Sequence, residues 1–174
     1  PYTTLFRSQE FNAMELINSG AVQTDPMELF LDWCGLINHG LNVTPVGCSD
    51  SHDVSRYIVG QARTYIKVDD RVPGNINVKK AIDSFLAGRV IVSYGILVKL
   101  EVKTSDPNVR HGPGDLVHFN TENGVGAQKM VAVTASVMAP EWATPNELRL
   151  FLNGQTKFSV DLRNQRRKIG RASC

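Results

Sequence analysis

The stretch Gly47-Cys48-Ser49-Asp50-Ser51-His52-Asp53 decides how the rest of this chain is interpreted, because polar and metal-binding side chains are concentrated in it. It follows the apolar run Val43-Thr44-Pro45-Val46, which predicts a short buried strand. In an extended backbone alternate side chains point to the same side, so we expect Asp50 and His52 to reach into one site from the strand end. A carboxylate together with an imidazole suits zinc, manganese or iron. Alone, the Asp-x-His pattern is a weak signal, and a solvated polar loop is the alternative.

The chain up to about residue 95 alternates between predicted strands and helices. Asp25 and Pro26 are typical of a helix N-cap and first helical residue, and Gly40 is typical of the helix end. A second helix is predicted from Val78 to Leu86, closed by Gly88. The predicted strands are 11–17, 43–47, 63–68 and 90–94. This alternation predicts an α/β architecture with a largely parallel sheet.

Beyond residue 95 the pattern changes to one of period two. It is seen at 98–103, 130–137 and 147–152, and Asn153-Gly154 then predicts a tight hairpin into 156–160. The segment 111–115, His-Gly-Pro-Gly-Asp, reads as a turn, and His118 as a surface residue of a strand. We therefore expect residues 96–167 to form a separate antiparallel, sandwich-like module.

The two ends of the chain have an unusual composition. Residues 1–8 and 168–174 resemble translated sequencing-library adapters, so we expect the native part to be 9–167, an internal fragment of a longer protein, and the ends to pack poorly. The chain has 19 Lys and Arg against 17 Asp and Glu. The two ends hold three cations (Arg7, Lys168 and Arg171) and no acid, which leaves 16 against 17. No basic surface for nucleic acid is therefore predicted.

Composition sets only wide limits on function. A hydrophobic share of 42% with 21% charged residues is typical of an ordinary globular protein. No apolar run reaches the ~18–20 residues that a membrane span needs. Away from the ends, the two cysteines, Cys34 and Cys48, form neither a CxxC motif nor a disulfide ladder, so redox compartment and localisation stay open.

The string TPVGCSDSHDVSRYIVGQARTYI, residues 44–66, resembles the polymerase-and-histidinol-phosphatase (PHP) domains of the carbaryl-hydrolase-like (CehA/McbA) branch. In that family the last metal motif reads approximately Gly-x-Ser-Asp-x-His and is followed by Gly-x-(Gly/Ala)-Arg-Thr-Tyr. The strings FNAMELINSG and AIDSFLAGRVIVSYG are also similar to it, and the likeness covers about residues 10–120. It implies that residues 9–95 are the C-terminal part of a distorted (βα) barrel. It also implies a multinuclear metal site in which Asp50 and His52 are ligands.

The chain departs from the family pattern in two respects. The family's His-x-His pair and its further His and Glu ligands would lie before residue 9. His39 does not replace them, because it is placed to cap a helix C-terminus. Cys48 stands where the family more often has a small residue such as Ser; we interpret it as a small side chain packed under the loop, the alternative being a metal-binding or oxidisable thiolate.

Four further residues are candidates for the site. Asp53 is placed to hold the other nitrogen of a ligating histidine or to serve as an acceptor beside the metal. Arg56 and Arg63 flank the motif and could hold a phosphate or carboxylate of the substrate, the alternative being structural ion pairs with Asp53, Asp69 or Asp70. Glu15, an acid inside a predicted strand, either lies near the metal or is a hydrogen-bonded structural acid.

The resemblance implies a metal-dependent hydrolase that uses metal-activated water on a phosphoester, carbamate, amide or ester bond of a small-molecule substrate. Zinc, manganese or iron is the implied cofactor, and no nucleic acid partner or membrane span is expected. We expect this chain alone to bind metal weakly, to be poorly soluble and to be inactive. The alternative is a non-catalytic binding module, a β-sandwich on a degenerate barrel that recognises a polymer or protein. The sequence leaves oligomeric state open.

Overall fold

The computed structural model describes residues 11–18, 20, 25–55, 58–104, 109–117, 131–163 and 170–173, the last four as backbone only. Besides a single 3-10 turn at Pro73–Asn75, two α-helices and ten strands occur within these ranges. In chain order they are β1 Ala13–Ile17, α1 Pro26–Asn38, β2 Thr44–Gly47, β3 Arg63–Ile66, α2 Val78–Leu86, β4 Val90–Ser93, β5 Leu97–Lys103, β6 Arg110–His111, β7 Ala132–Met138, β8 Glu147–Leu152, β9 Gln155–Asp161 and β10 Gly170–Ser173. The predicted mixture of helices and strands is confirmed. His118 lies outside the described residues.

Both helices begin and end at the residues that the sequence indicates. The Asp25 carboxylate accepts a hydrogen bond from the Met27 N–H at 2.9 Å, which caps α1. His39 is the C-cap residue of α1, and Gly40 follows with a φ of +81°. Asn77 caps α2 by accepting from the Lys80 N–H, and Gly88 ends it with a φ of +69°. Neither helix in the described ranges combines the length and apolar content that a membrane crossing requires.

The strands of the first half form two pairs of opposite kind. β1 and β2 are parallel, with Ala13 opposite Thr44, whereas β3 and β4 are antiparallel, with Arg63 opposite Ser93. The described residues do not close a barrel, and the expectation of a largely parallel sheet holds only for β1 and β2. A strand–helix–strand pattern does not by itself determine strand direction. Here the chain leaves β3, passes through α2 and returns as β4, which is antiparallel to β3.

The second half is antiparallel, as predicted. β5 pairs with β7 along its whole length, and β6 and β10 flank them in the order β10-β7-β5-β6. β8 and β9 form a hairpin in which Asn153 and Gly154 both have positive φ, +53° and +78°, as a two-residue turn requires. The expectation that 168–174 packs poorly is wrong for β10, which pairs with β7. β10 pairs with the backbone groups of β7 that β5 leaves unpaired, and an unpaired strand edge readily accepts an extended segment.

The hairpin also packs against the first half of the chain. The rings of Phe30 in α1 and Phe151 in β8 meet edge to face, with 4.9 Å between their centroids. A Cβ added at Gly154 would lie 3.4 Å from the Cβ of Cys34. The expected antiparallel unit is therefore in contact with α1 through its hairpin.

The buried core that the structure describes is small and surrounds β1, β2 and β4. Its members are Leu16, Val43, Thr44, Ala62, Val90 and Ser93. Thr44 satisfies its hydroxyl by donating to the Phe85 carbonyl at 2.8 Å, which ties the start of β2 to the end of α2. Trp33 donates its indole N–H to the Val43 carbonyl at 2.8 Å. This core supports the strands whose C-terminal ends carry the candidate site.

Candidate metal centre

Gly47, the last residue of β2, is the point from which the 48–53 loop departs. The Cys48 N–H donates to the Ile17 carbonyl at 3.0 Å, which continues the β1–β2 pairing by one residue. A Cβ at Gly47 would lie 2.7 Å from Val92 Cγ1 and 2.9 Å from the Arg63 carbonyl oxygen, so only glycine fits. The loop therefore starts at a tightly defined position beside the C-terminal ends of two parallel strands. Open α/β sheets place their ligand sites at such ends.

Asp50 turns the backbone of the loop. Its φ of +49° lies in the left-handed region, which Asp tolerates better than most non-glycine residues. The sequence pattern predicts an extended backbone at 50–52. The structure has no strand there. The two side chains nevertheless lie on the same side, with 3.7 Å between His52 Nδ1 and Asp50 Oδ1. The expected proximity is present, but the turn at Asp50 produces it rather than strand alternation.

The His52 ring is oriented by the backbone of Asp50. Its Nδ1 lies 2.7 Å from the Asp50 carbonyl oxygen. Because a carbonyl only accepts, this contact places the proton of the neutral ring on Nδ1 and leaves the lone pair on Nε2. Metal-ligating histidines are commonly held in this way, with the second ring nitrogen donating to a carbonyl or carboxylate. The His52 side chain is 69% exposed and that of Asp50 is 43% exposed, so both are accessible to a solvent ion.

Cys48, Glu15 and Tyr94 lie close to one another near the same end of the strands. Burial is the largest cause that raises the pKa of the Cys48 thiol. A hydrogen bond to the Glu15 side chain and the negative charges of Glu15 and Asp50 raise it further, against a backbone hydrogen bond at Asp50. Burial also raises the pKa of Tyr94, as does the nearby Cys48. The Tyr94 hydroxyl donates to the Asn18 carbonyl at 2.5 Å. The half-buried Cys48 thiol therefore lies near Glu15, Asp50 and Tyr94, and its raised pKa favours the thiol over the thiolate.

The structure places the other predicted site residues differently. The position expected of Asp53, at the second ring nitrogen of His52, is taken by the Asp50 carbonyl. The Asp53 carboxylate accepts from the Ser55 N–H and hydroxyl at 2.8 and 2.7 Å. Arg63 lies in β3, where its guanidinium is 3.5 Å from the Tyr65 hydroxyl. Arg56 lies outside the described residues, so its substrate role stays a prediction.

Thr64 also lies at this site, although it was not among the candidate residues predicted from the sequence. Its hydroxyl bonds to both the N–H and the carbonyl of Gly47. The sequence did contain a signal for it. Thr64 lies between Arg63 and Tyr65 in a predicted strand of the motif that resembles the family, so its side chain is expected on the opposite face from theirs.

The donor set suits a divalent metal but is incomplete. Carboxylate and imidazole are the usual oxygen and nitrogen ligands of zinc and manganese. The described ranges contain no group of three or more His, Cys, Asp or Glu side chains able to hold a metal ion. Within the described residues, Asp50 and His52 are therefore two potential donors, fewer than the three or four that a tight metal site requires.

Comparisons of the chain with protein-family models, curated proteins and solved structures give no match. The resemblance to the PHP family accordingly depends on the motifs at 11–20, 44–66 and 81–95 alone.

Proposed function

We propose that this chain contributes the Asp50–His52 pair to the metal site of a hydrolase of the PHP type. Residues 9–95 would supply the C-terminal part of its distorted (βα) barrel, and the remaining ligands would come from sequence outside this chain. The bond cleaved would be a phosphoester, carbamate, amide or ester of a small molecule. The supporting observation is the His52 ring, whose Nδ1–H is held by the Asp50 carbonyl beside the Asp50 carboxylate.

The residues of this chain have distinct roles in the proposed site. His52 would bind the ion through Nε2, since Nδ1 is occupied by the Asp50 carbonyl. Asp50 would bind through its carboxylate, while its left-handed backbone turns the loop toward the site. A bound divalent metal would supply a water of lowered pKa and polarise the scissile group. Arg56 is the cation proposed to hold an anionic group of the substrate, because the Arg63 guanidinium lies beside Tyr65 on the face of β3 opposite to Thr64.

The test measures zinc binding to the full 174-residue chain by competition with a chromogenic chelator at low micromolar protein. The wild-type chain is expected to bind zinc weakly, because a tight site requires about three or four protein ligands. His52→Ala and Asp50→Ala should each abolish this binding. His39→Ala is the matched control, because His39 is the C-cap residue of α1 and not part of the 48–53 loop. It should leave zinc binding unchanged.

Two results would contradict the proposal. One is zinc binding that is unaffected by both His52→Ala and Asp50→Ala. The other is hydrolysis of aryl phosphates and carbamates by the longer parent protein that survives both substitutions. Either result would favour the non-catalytic alternative, in which the β-rich second half recognises a partner.

A further inference from the structure

We infer that Thr64 is a positioning residue for the Asp50–His52 pair, acting through the backbone of Gly47. The inference depends on the proposed function for the identity of the ligand. The contacts that support the inference are made within this chain, between Thr64 and Gly47, and do not involve Asp50 or His52.

The first observation is that one hydroxyl satisfies both backbone groups of the residue before the loop. Thr64 Oγ1 accepts from the Gly47 N–H at 2.8 Å and donates to the Gly47 carbonyl at 2.9 Å. In the described sheets β2 pairs with β1 and β3 pairs with β4, with no ladder between β2 and β3. The Thr64 side chain thus takes the place of a strand–strand hydrogen-bond ladder at this point.

The second observation is that Gly47 is closely surrounded, with no space for a Cβ. The residue is buried, and a Cβ added to it would lie 2.7 Å from Val92 Cγ1 and 3.0 Å from Ile17 Cγ1. Ile17, Val92 and the β3 backbone therefore surround it. Thr64 adds the directional contact, because hydrogen bonds fix orientation where apolar packing fixes only distance.

The position of Gly47 affects the ligands because the chain between them is short. Asp50 is three residues beyond Gly47, and the Cys48 N–H to Ile17 carbonyl bond anchors only the first of them. Without the Thr64 hydroxyl, the buried N–H and carbonyl of Gly47 would lack these partners, which favours a shift of the backbone toward other partners. Such a shift moves the start of the turn that brings His52 next to Asp50. Outer contacts of this kind typically change metal affinity by about 10–100-fold.

Arg63 and Tyr65, the neighbours of Thr64 in β3, do not share this role. Side chains alternate along a strand, and the Arg63 guanidinium lies 3.5 Å from the Tyr65 hydroxyl on the other face. The motif Arg63-Thr64-Tyr65 therefore has one residue directed at the loop and two directed away from it.

The test compares Thr64→Val, Thr64→Ser and Thr44→Val in the full chain. Thr64→Val keeps the shape and removes the hydroxyl, and Thr64→Ser restores it. Thr44→Val is the matched control, because Thr44 also donates to a backbone carbonyl, that of Phe85, but at the opposite end of β2. Amide hydrogen exchange by mass spectrometry reports on the 47–52 backbone, and chelator competition reports zinc affinity.

Thr64→Val is expected to speed exchange across 47–52 and to weaken zinc binding about tenfold, whereas Thr64→Ser should restore both. Thr44→Val should change neither, although it destabilises the fold. The inference is overturned if Thr64→Val leaves loop exchange and zinc affinity at wild-type values, or if Thr44→Val changes both equally. If zinc binding does not depend on His52 at all, the proposed function fails, and faster exchange in Thr64→Val would then show only that Thr64 holds the loop.

Discussion

At the scale of single residues, the site depends on two backbone positions that only certain side chains tolerate. Gly47 lies against Val92, Ile17 and the Arg63 carbonyl with no space for a Cβ. Asp50 adopts a left-handed backbone that most residues avoid. Backbone conformations of this kind are found preferentially at functional sites, where the surrounding structure holds them in place. The arrangement of Asp50 and His52 thus depends on the backbone before and within the turn as much as on their own side chains.

Replacement of Gly47 by Ala is expected to destabilise the protein by about 1–3 kcal/mol, because the new methyl group overpacks a site bounded by Val92 and the Arg63 backbone. The measurement is urea unfolding followed by circular dichroism. Gly35→Ala is the matched control, since nothing lies within 4 Å of a Cβ at that position of α1. It should stabilise the helix by about 0.5–1 kcal/mol. Equal effects of the two substitutions would contradict the described packing of Gly47.

At the scale of elements, the turn at 111–115 is docked on the turn between α2 and β4. A Cβ at Gly114 would lie 2.4 Å from the Ala87 carbonyl oxygen, so the two turns touch through their backbones. Asp115 accepts from the Gly112 N–H at 2.8 Å, and its carboxylate lies 3.4 Å from Arg89 Nε. The segment that the sequence presents as a surface turn therefore joins the β-rich half to the end of α2.

The contacts of Asp115 make this docking sensitive to acid. The Gly112 N–H is the largest cause that lowers the pKa of Asp115, and Arg89 and Lys67 lower it further. Folding thus favours the charged carboxylate. Its contribution to stability is fully present above the ordinary Asp pKa of about 3.9 and is lost as the pH falls through the lower folded value.

Asp115→Asn should therefore cost about 1 kcal/mol of unfolding free energy at pH 7, and the cost should shrink as the pH falls below the ordinary Asp pKa and through the lower folded value. Urea midpoints measured from pH 7 to pH 2.5 would show the convergence. Asp69→Asn serves as the control, because Asp69 pairs with Arg71 in a fully exposed position where solvent screens the interaction. A cost for Asp115→Asn that persists unchanged at the lowest pH would rule out the charged contact as its cause.

At the scale of the whole molecule, the described residues bury little apolar surface for their number. Large apolar side chains are more than three-quarters exposed at several positions: Val54 at 109%, Ile58 at 78%, Val59 at 84%, Leu116 at 78% and Trp142 at 79%. Exposed apolar surface of this kind marks an interaction site or an aggregation hazard. Poor solubility stays a prediction, and these exposed apolar side chains are a physical reason for it.

The folded chain is expected to bind a hydrophobic dye such as ANS in native buffer. Replacement of Ile58 and Val59 together by Ser should lower the dye fluorescence without changing the urea midpoint, because both side chains are largely exposed. Val43→Ala, by contrast, removes a side chain that is 4% exposed and should lower the stability by about 1–2 kcal/mol. Dye fluorescence no higher than that of a compact control protein would contradict the exposed surface described here.

The sequence alone determined the local structure of this protein. The sequence predicted the cap at Asp25, the start of α2 at Val78, the stops at Gly40 and Gly88 and the Asn153-Gly154 turn, and the structure has each of them there. Each depends on backbone preferences within a few residues, which the local sequence contains. The same holds for the position of the Asp50–His52 pair at the end of β2.

Tertiary structure alone decided the antiparallel direction of β3 and β4 and the reason for the site's geometry. The antiparallel pairing of β3 with β4, and the contact of Phe30 with Phe151, join segments far apart in sequence. The turn at Asp50, the clash that requires glycine at 47 and the role of Thr64 likewise depend on neighbours brought together by folding. Hydrophobic periodicity records which face of an element is buried but not which element covers it, so these features could not be read from the pattern.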